Sequence, residues 1–227
     1  MTEGGTYAYK AVLFDLDGTL LDTAPDMVSA LDELLGESNR APVDYAHARA
    51  HVSRGALGLI DMAFGAIEEA HRLSLRERYL ELYERRLARS STLFEGMDMV
   101  LDYIENGGMH WGVVTNKPAF LTEPLLVALG LWSRSSATVS GDTLRERKPH
   151  PRPLLHAAEQ IGVAPAEAIY VGDDTRDIAA GNAAGMTTVA ALYGFIAPGE
   201  DPRRWPADHR IEHPGDILAI LEQANRG

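Results

Sequence analysis

Asp15-Leu16-Asp17-Gly18-Thr19-Leu20 places two carboxylates two residues apart, directly after the apolar run Ala11-Val12-Leu13-Phe14. Residues so spaced at the end of a strand project to the same side, so both carboxylates can face one ligand. Gly18 behind them allows a sharp turn and lets backbone N–H groups come close to an anion. Two carboxylates that close repel each other, and a phosphate dianion would repel both. A divalent cation resolves the conflict, and hard oxygen ligands suit Mg²⁺. The plainer alternative is a turn with an Asx cap.

Three more segments carry similar possibilities. Thr115-Asn116-Lys117 follows the apolar Trp111-Gly112-Val113-Val114. A hydroxyl and the following N–H there could hold phosphate oxygens, although Thr or Asn after a strand is commonly a helix cap. Lys148 lies in the turn-rich Arg145-Glu146-Arg147-Lys148-Pro149-His150-Pro151 and, taken alone, reads as a solvated charge. Gly172-Asp173-Asp174-Thr175-Arg176-Asp177 follows the apolar residues 168–171. Its acids either complete a cation's shell or sit in a helix's first turn, where the macrodipole favours Asp. Together the four segments supply a nucleophile, a metal site, hydroxyl and N–H donors and a counter-charge, the parts that phosphoryl transfer needs.

Other patterns weigh less. Asp173-Asp174-x-x-Asp177 spells the DDxxD of prenyl-diphosphate enzymes, but those carry it inside a long helix and here it follows a strand. His47 and His51, four apart, could share a helix face as metal ligands, yet no third ligand accompanies them. Arg76, Arg78, Arg85, Arg86 and Arg89 alternate with Glu77, Glu81 and Glu84, which reads as a solvated, salt-bridged helix face.

The elements that must position these groups follow from the apolar pattern. Short, mostly unalternated runs at 11–14, 111–114, 138–139, 168–171 and 187–190 suit strands buried on both faces of a parallel sheet. Helical spacing lies between the later runs. Met97, Val100, Leu101 and Ile104 form one face; Leu125, Leu126 and Leu129, ended by Gly130, a second; Leu154, Leu155, Ala158 and Ile161, ended by Gly162, a third. Strand alternating with helix predicts an α/β fold, a Rossmann-like doubly wound parallel sheet with right-handed crossovers. Residues 23 to 91 break that rhythm. Pro25 opens a helix through Met27, Leu31, Leu34 and Leu35, and further helical patterns run near 43–52, 57–70 and 75–87, with no convincing strand. These predict a small helical domain (23–91) inserted into an α/β core made of 1–22 and 92–227. Residues 197–206 read as a surface loop before a last helix near 217–224.

Length and composition set outer bounds. The 227 residues are about one and a half typical domains. Lys and Arg total 21 against 33 Asp and Glu, a net charge of −12. A chain so acidic is repelled by nucleic-acid backbones and anionic lipid, which argues against both as partners. With no Cys there is no disulfide framework, thiolate metal site or cysteine nucleophile. The polar first ten residues lack the apolar stretch of a signal peptide, and no stretch approaches the roughly 18 apolar residues of a membrane span. A soluble cytoplasmic protein is expected.

The four segments resemble the four signature motifs of the haloacid dehalogenase-like superfamily, in the expected order along the whole chain. The resemblance implies Asp15 as nucleophile, Asp17 as general acid/base, Thr115 as the second motif's hydroxyl, Lys148 as the third motif's lysine and Asp173 as a metal ligand. By the same resemblance the metal is Mg²⁺, held by Asp15, the backbone carbonyl of Asp17, and Asp173; Gly18, Thr115, Asn116 and Lys148 bind the phosphoryl group. The inserted helices are similar to the family's cap domain of the first type. Residues 112–118, 148–153 and 171–173 are similar to the phosphoglycolate phosphatase branch, and the 201–214 tail to N-acetylmuramic acid 6-phosphate phosphatases. Asp174 departs from the Ser of many relatives, and its role stays open. The implied activity is a phosphatase acting through an aspartyl-phosphate on a small phosphorylated metabolite, as a monomer or homodimer. The cap loop Val52-Ser53-Arg54-Gly55-Ala56 is expected to read the substrate, with Arg54 meeting a carboxylate or staying solvent-exposed. Two rivals remain: a phosphomutase of the β-phosphoglucomutase type, and a catalytically silent fold used for binding.

Overall fold

All five apolar runs form strands, because residues buried on both faces gain most from a parallel ladder covered by helices. The computed structural model describes residues 8–224. In chain order the strands are β1 (Ala11–Phe14), β2 (Leu21–Asp22), β3 (Thr92–Leu93), β4 (His110–Val114), β5 (Ala137–Val139), β6 (Ala168–Gly172), β7 (Thr187–Ala191) and β8 (His209–Ile211). Six of them make one sheet in the order β5-β4-β1-β6-β7-β8, with every neighbouring pair parallel. β1 pairs with β4 on one side and β6 on the other; Phe14 stands beside Val113 and Val171. The winding reverses across β1, so the carboxyl ends of these three central strands form the crevice where open α/β sheets place ligands.

Alternate residues of the strands feed two cores. Val12, Phe14, Val113 and Val171 pack under the helices α5 (Met97–Asn106), α6 (Ala119–Ala128) and α9 (Ile217–Ala224). Leu13 and Tyr170, on the opposite face, meet α7 (Arg152–Ile161) and α8 (Thr175–Ala184). Gly162 and Gly185 end α7 and α8 in the left-handed conformation, at φ 81° and 74°.

The helices between β2 and β3 are α1 (Ala24–Glu37), α2 (Tyr45–Arg49), α3 (Gly55–Phe64) and α4 (Glu69–Glu84). Pro25 sits in the first turn of α1, as its missing N–H permits. Leu31, Leu34, Leu59, Ile60, Tyr79 and Leu82 are fully buried among one another, and Leu121 and Phe195 of the sheet layer join them. The predicted helix boundaries shift here. The stretch 57–70 is broken, because Gly65 (φ 72°) stops α3 and a new helix begins at Glu69. α2 is only five residues long, capped by the Asp44 carboxylate accepting from the His47 N–H (2.8 Å), and a 3₁₀ turn at Val52–Arg54 leads into α3.

Three short strands escaped the sequence reading. β2 and β3 pair antiparallel where the chain leaves the sheet layer for the helices and returns. β8, His209-Arg210-Ile211, has one apolar residue to announce it. The arginine-rich face also differs from expectation. Arg78 grips Glu37 as well as Glu81, and Arg85 and Arg86 both reach Glu33, so these arginines clamp α4 onto α1. Arg76 and Arg89 have no carboxylate partner among the described residues.

Candidate active site

Asp15, Thr115 and Asp173 are the residues that immediately follow β1, β4 and β6. Neighbouring parallel strands in register thus bring together groups about 100 and 158 residues apart in the sequence. Lys148 completes the set. Its ammonium lies 2.7 Å from Asp15 Oδ1 and 2.7 Å from Asp177 Oδ1, and it donates to the Tyr170 hydroxyl at 2.9 Å. Asn116 positions that lysine's backbone: its Nδ2 donates to the Lys148 carbonyl and its Oδ1 accepts from the Lys148 N–H, both at 3.1 Å. The Asn116 side chain is therefore spent on holding Lys148 rather than open to an anion.

Asp173 is 1% exposed. Its Oδ1 accepts from the Thr19 hydroxyl (3.1 Å), and its Oδ2 from the Ser53 hydroxyl and the Phe195 N–H (2.8 Å each). Gly18 is required here for two reasons. Its φ of 88° is left-handed, and a Cβ would stand 2.1 Å from Asp173 Oδ2. Its N–H, expected to face an anion, instead donates to the Leu21 carbonyl at 2.9 Å. The turn closes on itself, so Gly18 shapes the loop while its donor is consumed.

Asp17 goes elsewhere. Its carboxylate is held by Lys117 Nζ at 3.0 and 3.1 Å and by the Thr23 hydroxyl at 2.6 Å. Lys117 also donates to the Tyr83 hydroxyl (2.8 Å), so a residue of the second segment links the first segment to α4. The metal-ligand geometry among the described residues belongs to Asp15, Asp173 and Asp177, each with an oxygen within 4.8 Å of the others'. Asp177, one of the acids of the 172–177 run offered as completing a cation's shell or filling a helix's first turn, stands in the first turn of α8 with an oxygen in the cluster of Asp15 and Asp173. Lys117, Tyr170, Thr23 and Ser53 were missed because each acts through a contact more than five residues away. The His47 and His51 rings lie 4.7 Å apart and tilted by 55°, with a His51 ring nitrogen 2.8 Å from the His47 carbonyl, and among the described residues they join no metal-ligand cluster.

Charge balance in the cluster is unequal: two buried carboxylates, Asp173 and Asp177, and the partly buried Asp15 gather around one ammonium, which pairs with Asp15 and Asp177. Burial, with the charges of Asp15 and Asp177, pushes the Asp173 carboxyl up to about 8. Burial also pushes Asp177 up to about 7, Asp15 adding to it while Lys148 opposes. Burial works against the Lys148 charge, but Asp15 and Asp177 outweigh it and hold that ammonium above its ordinary value. An all-oxygen donor set short of positive charge fits a divalent cation. The sign of the pH effect follows. Both carboxyls keep protons in the folded protein that the unfolded chain releases near 3.8. The contribution of these two groups to the stability of the metal-free protein is therefore fullest below about pH 4 and is lost as pH rises toward 7 and 8. Chelator-treated protein should melt several degrees lower at pH 8 than at pH 5.5, and Mg²⁺ should restore the difference at pH 8; a melting temperature flat across that range, with or without the cation, contradicts the argument.

A cavity of about 260 Å³ opens above the strand ends. Asp15, Asp17, Thr115, Lys117 and Lys148 line its floor, and Met27, Val52, Leu57, Leu80 and Leu121 give it an apolar wall. Arg54, Arg76 and Arg147 also border it. Arg54 is half-exposed and meets Glu200 only at 3.8 Å.

A doubly wound sheet that gathers carboxylates and a buried lysine at the ends of its central strands, under a walled cavity, defines an α/β enzyme of the carboxylate-using hydrolytic kind. The chain belongs to the haloacid dehalogenase-like hydrolase family, whose model matches residues 12–191. A phosphoglycolate phosphatase of Xanthomonas campestris is 46% identical to it over 208 residues, spanning 92% of this chain and 94% of that one. An N-acetylmuramic acid 6-phosphate phosphatase of Pseudomonas putida is 42% identical over 216 residues, 95% and 97% of the two chains. Among solved structures, a "predicted phosphoglycolate phosphatase" from Haemophilus somnus superposes with a TM-score of 0.85 at 27% identity, covering 95% of this chain and 99% of that one.

Proposed function

We propose that the chain is a Mg²⁺-dependent phosphatase that works through a phosphorylated Asp15. Its family and its named relatives support the broader statement: the chain is a phosphoric monoester hydrolase. The observation that carries the finer reading is Lys148 Nζ, 2.7 Å from Asp15 Oδ1 within a carboxylate cluster that lacks positive charge. Asp15 and Asp173, with the Asp17 carbonyl, would hold the cation, which supplies charge neutralisation for the phosphoryl oxygens when bound. Asp15 attacks phosphorus in line and the ester oxygen leaves with a proton from Asp17, giving an aspartyl-phosphate. Asp17 then takes a proton from the water that attacks it, returning Asp15 and inorganic phosphate. Lys148 and the Thr115 hydroxyl hold phosphoryl oxygens. The Asn116 N–H, which has no acceptor among the described residues, adds a third donor.

In this reading residues 1–22 and 92–227 are the catalytic core and 23–91 a cap, joined through the β2–β3 pair. The separate core of α1–α4 supports that division. The substrate is a small phosphorylated metabolite, 2-phosphoglycolate or N-acetylmuramic acid 6-phosphate, and the enzyme is cytoplasmic. Among the described residues no helix is long and apolar enough to cross a membrane. The deciding experiment measures Mg²⁺-dependent phosphate release from each of these two compounds. Release from neither, or conversion of a sugar phosphate without release, overturns the proposal in favour of a binding protein or a mutase respectively.

Arg54 borders the cavity with a weak partner, and both candidate substrates carry a carboxylate it could bind in a fork. Arg54→Ala should raise KM about tenfold for carboxylate-bearing esters, the scale of one half-exposed charged hydrogen bond. Neutral sugar phosphates should be unaffected; an equal rise for both classes removes Arg54 from substrate recognition.

A further inference from the structure

Asp174, the departure from the family pattern, has a partner of its own. It caps α8, accepting from the Arg176 N–H at 2.8 Å, and it grips the Arg176 guanidinium in a fork, Nε to Oδ1 and Nη2 to Oδ2 at 2.7 Å each. The same Nη2 donates to the Ser53 carbonyl at 2.6 Å, across 123 residues. Burial alone would raise the Asp174 carboxyl, but the Arg176 contacts hold it below its ordinary value.

The 3₁₀ turn Val52–Arg54 is thus tied down twice, by the Ser53 hydroxyl to Asp173 and by the Ser53 carbonyl to Arg176. The two ties differ in kind. The first ends on a carboxylate that a cation would also claim, so its strength depends on what Asp173 holds. The second ends on a neutral carbonyl and involves no group of the acidic cluster. A guanidinium locked by one carboxylate still has an N–H to spare in a fixed direction, which a lysine ammonium would not aim. The turn it holds carries Arg54 and leads into the Ala56 and Leu57 wall of the cavity.

We propose that Asp174 and Arg176 form a strap that docks the 52–57 segment over the cavity, and that they are positioning residues for the part of the substrate beyond its phosphoryl group. The role rests on the phosphatase reading of the site; the strap itself rests only on the contacts above. It gives Asp174 a structural assignment in place of a metal-binding one.

The test uses the full-length protein with Arg176→Ala, Arg176→Lys and Asp174→Ser, and reads two quantities. The first is amide hydrogen exchange over residues 52–57 without metal. The second is KM and kcat on whichever of 2-phosphoglycolate and N-acetylmuramic acid 6-phosphate the wild type hydrolyses. Arg176→Ala should speed exchange over 52–57 at least tenfold and raise KM about tenfold, with a much smaller fall in kcat. Arg176→Lys should fail to rescue either, and Asp174→Ser should show the same pattern at reduced size. Unchanged exchange in Arg176→Ala, or full rescue by Lys, overturns the strap. A fall in kcat with KM unmoved overturns its role in substrate positioning. If the wild type hydrolyses nothing, the phosphatase reading fails, while the exchange measurement still decides whether the strap exists.

Discussion

Asp15→Asn should abolish phosphate release, by about 10⁵-fold or more, the scale on which losing the nucleophile ends turnover in other covalent hydrolases. A carboxamide oxygen is a poor nucleophile and cannot form the acyl-phosphate. The variant has a second readout that separates chemistry from folding. Asp15 is one of the charges that raise the Asp173 and Asp177 carboxyls. Removing it leaves Lys148 with Asp177 at 2.7 Å and two carboxylates in place of three around the ammonium. The metal-free Asn variant should therefore melt no lower than wild type at pH 8, and the fall of melting temperature with pH should be shallower. Mg²⁺ should stabilise it less, since one ligand is gone. Retained turnover in a folded Asn variant ends the covalent mechanism; an unfolded variant whose wild type shows no pH-dependent melting ends the charge argument with it.

The sequence made some of this readable and hid the rest for physical reasons. The strands could be read because burial on both faces leaves an unbroken apolar run, as in Ala11–Phe14, wherever the chain crosses the middle of the sheet. β8 lies at the sheet's edge, where Arg210 is exposed, so its three residues carry no such pattern. Asp15 and Asp173 stand out in the sequence by residue type and by position after an apolar run, whereas Lys148, in the turn-rich 145–151, is singled out only by resemblance to the family's third motif. The partners of those residues do not stand out. Tyr170 lies inside an apolar strand and looks like core, yet its hydroxyl accepts from Lys148 and donates to the Val114 carbonyl at 2.9 Å. Asn116 looks like an anion donor in one dimension and proves to be the clasp on the Lys148 backbone in three. Helix periodicity shows only neighbours on the same helix, such as Arg78 with Glu81, and hides Glu33 and Glu37, which arrive from α1.

Lys117→Met should cost about 10²-fold in kcat on alkyl phosphates, within the range that one general acid contributes. Lys117 is 4% exposed at its side chain, and its Nζ touches both Asp17 oxygens and the Tyr83 hydroxyl, with the Tyr83 ring centroid 4.5 Å away. Among the described residues two groups, this ammonium and the Thr23 hydroxyl, fix the Asp17 carboxylate. Without the ammonium, Asp17 keeps one hydrogen bond and no cation of its own, while the remaining ammonium, Lys148, sits on Asp15. The Asp17 carboxyl group then spends less of its time where, in its protonated form, it can give its proton to a leaving oxygen. Proton delivery belongs to phosphoenzyme formation and water activation to its hydrolysis, so only the loss in the first step, read as a single-turnover burst, should depend on the leaving group. p-Nitrophenyl phosphate expels an anion that needs no proton, so Lys117→Met should release its burst of p-nitrophenolate within a few-fold of the wild-type rate while phosphoryl transfer from the alkyl ester suffers the full loss; the later attack of water slows alike for both. Tyr83→Phe removes one hydrogen bond from Lys117 and leaves the Asp17 pair, so it should fall between the two enzymes. Stability moves less, by about 2 kcal/mol, because Asp17 keeps some access to water and the penalty of an orphaned buried charge is only partly incurred. Equal losses in the burst of the two esters would show that Lys117 acts on the phosphoryl group itself, and no loss on either, in the burst or in steady state, would remove it from the reaction.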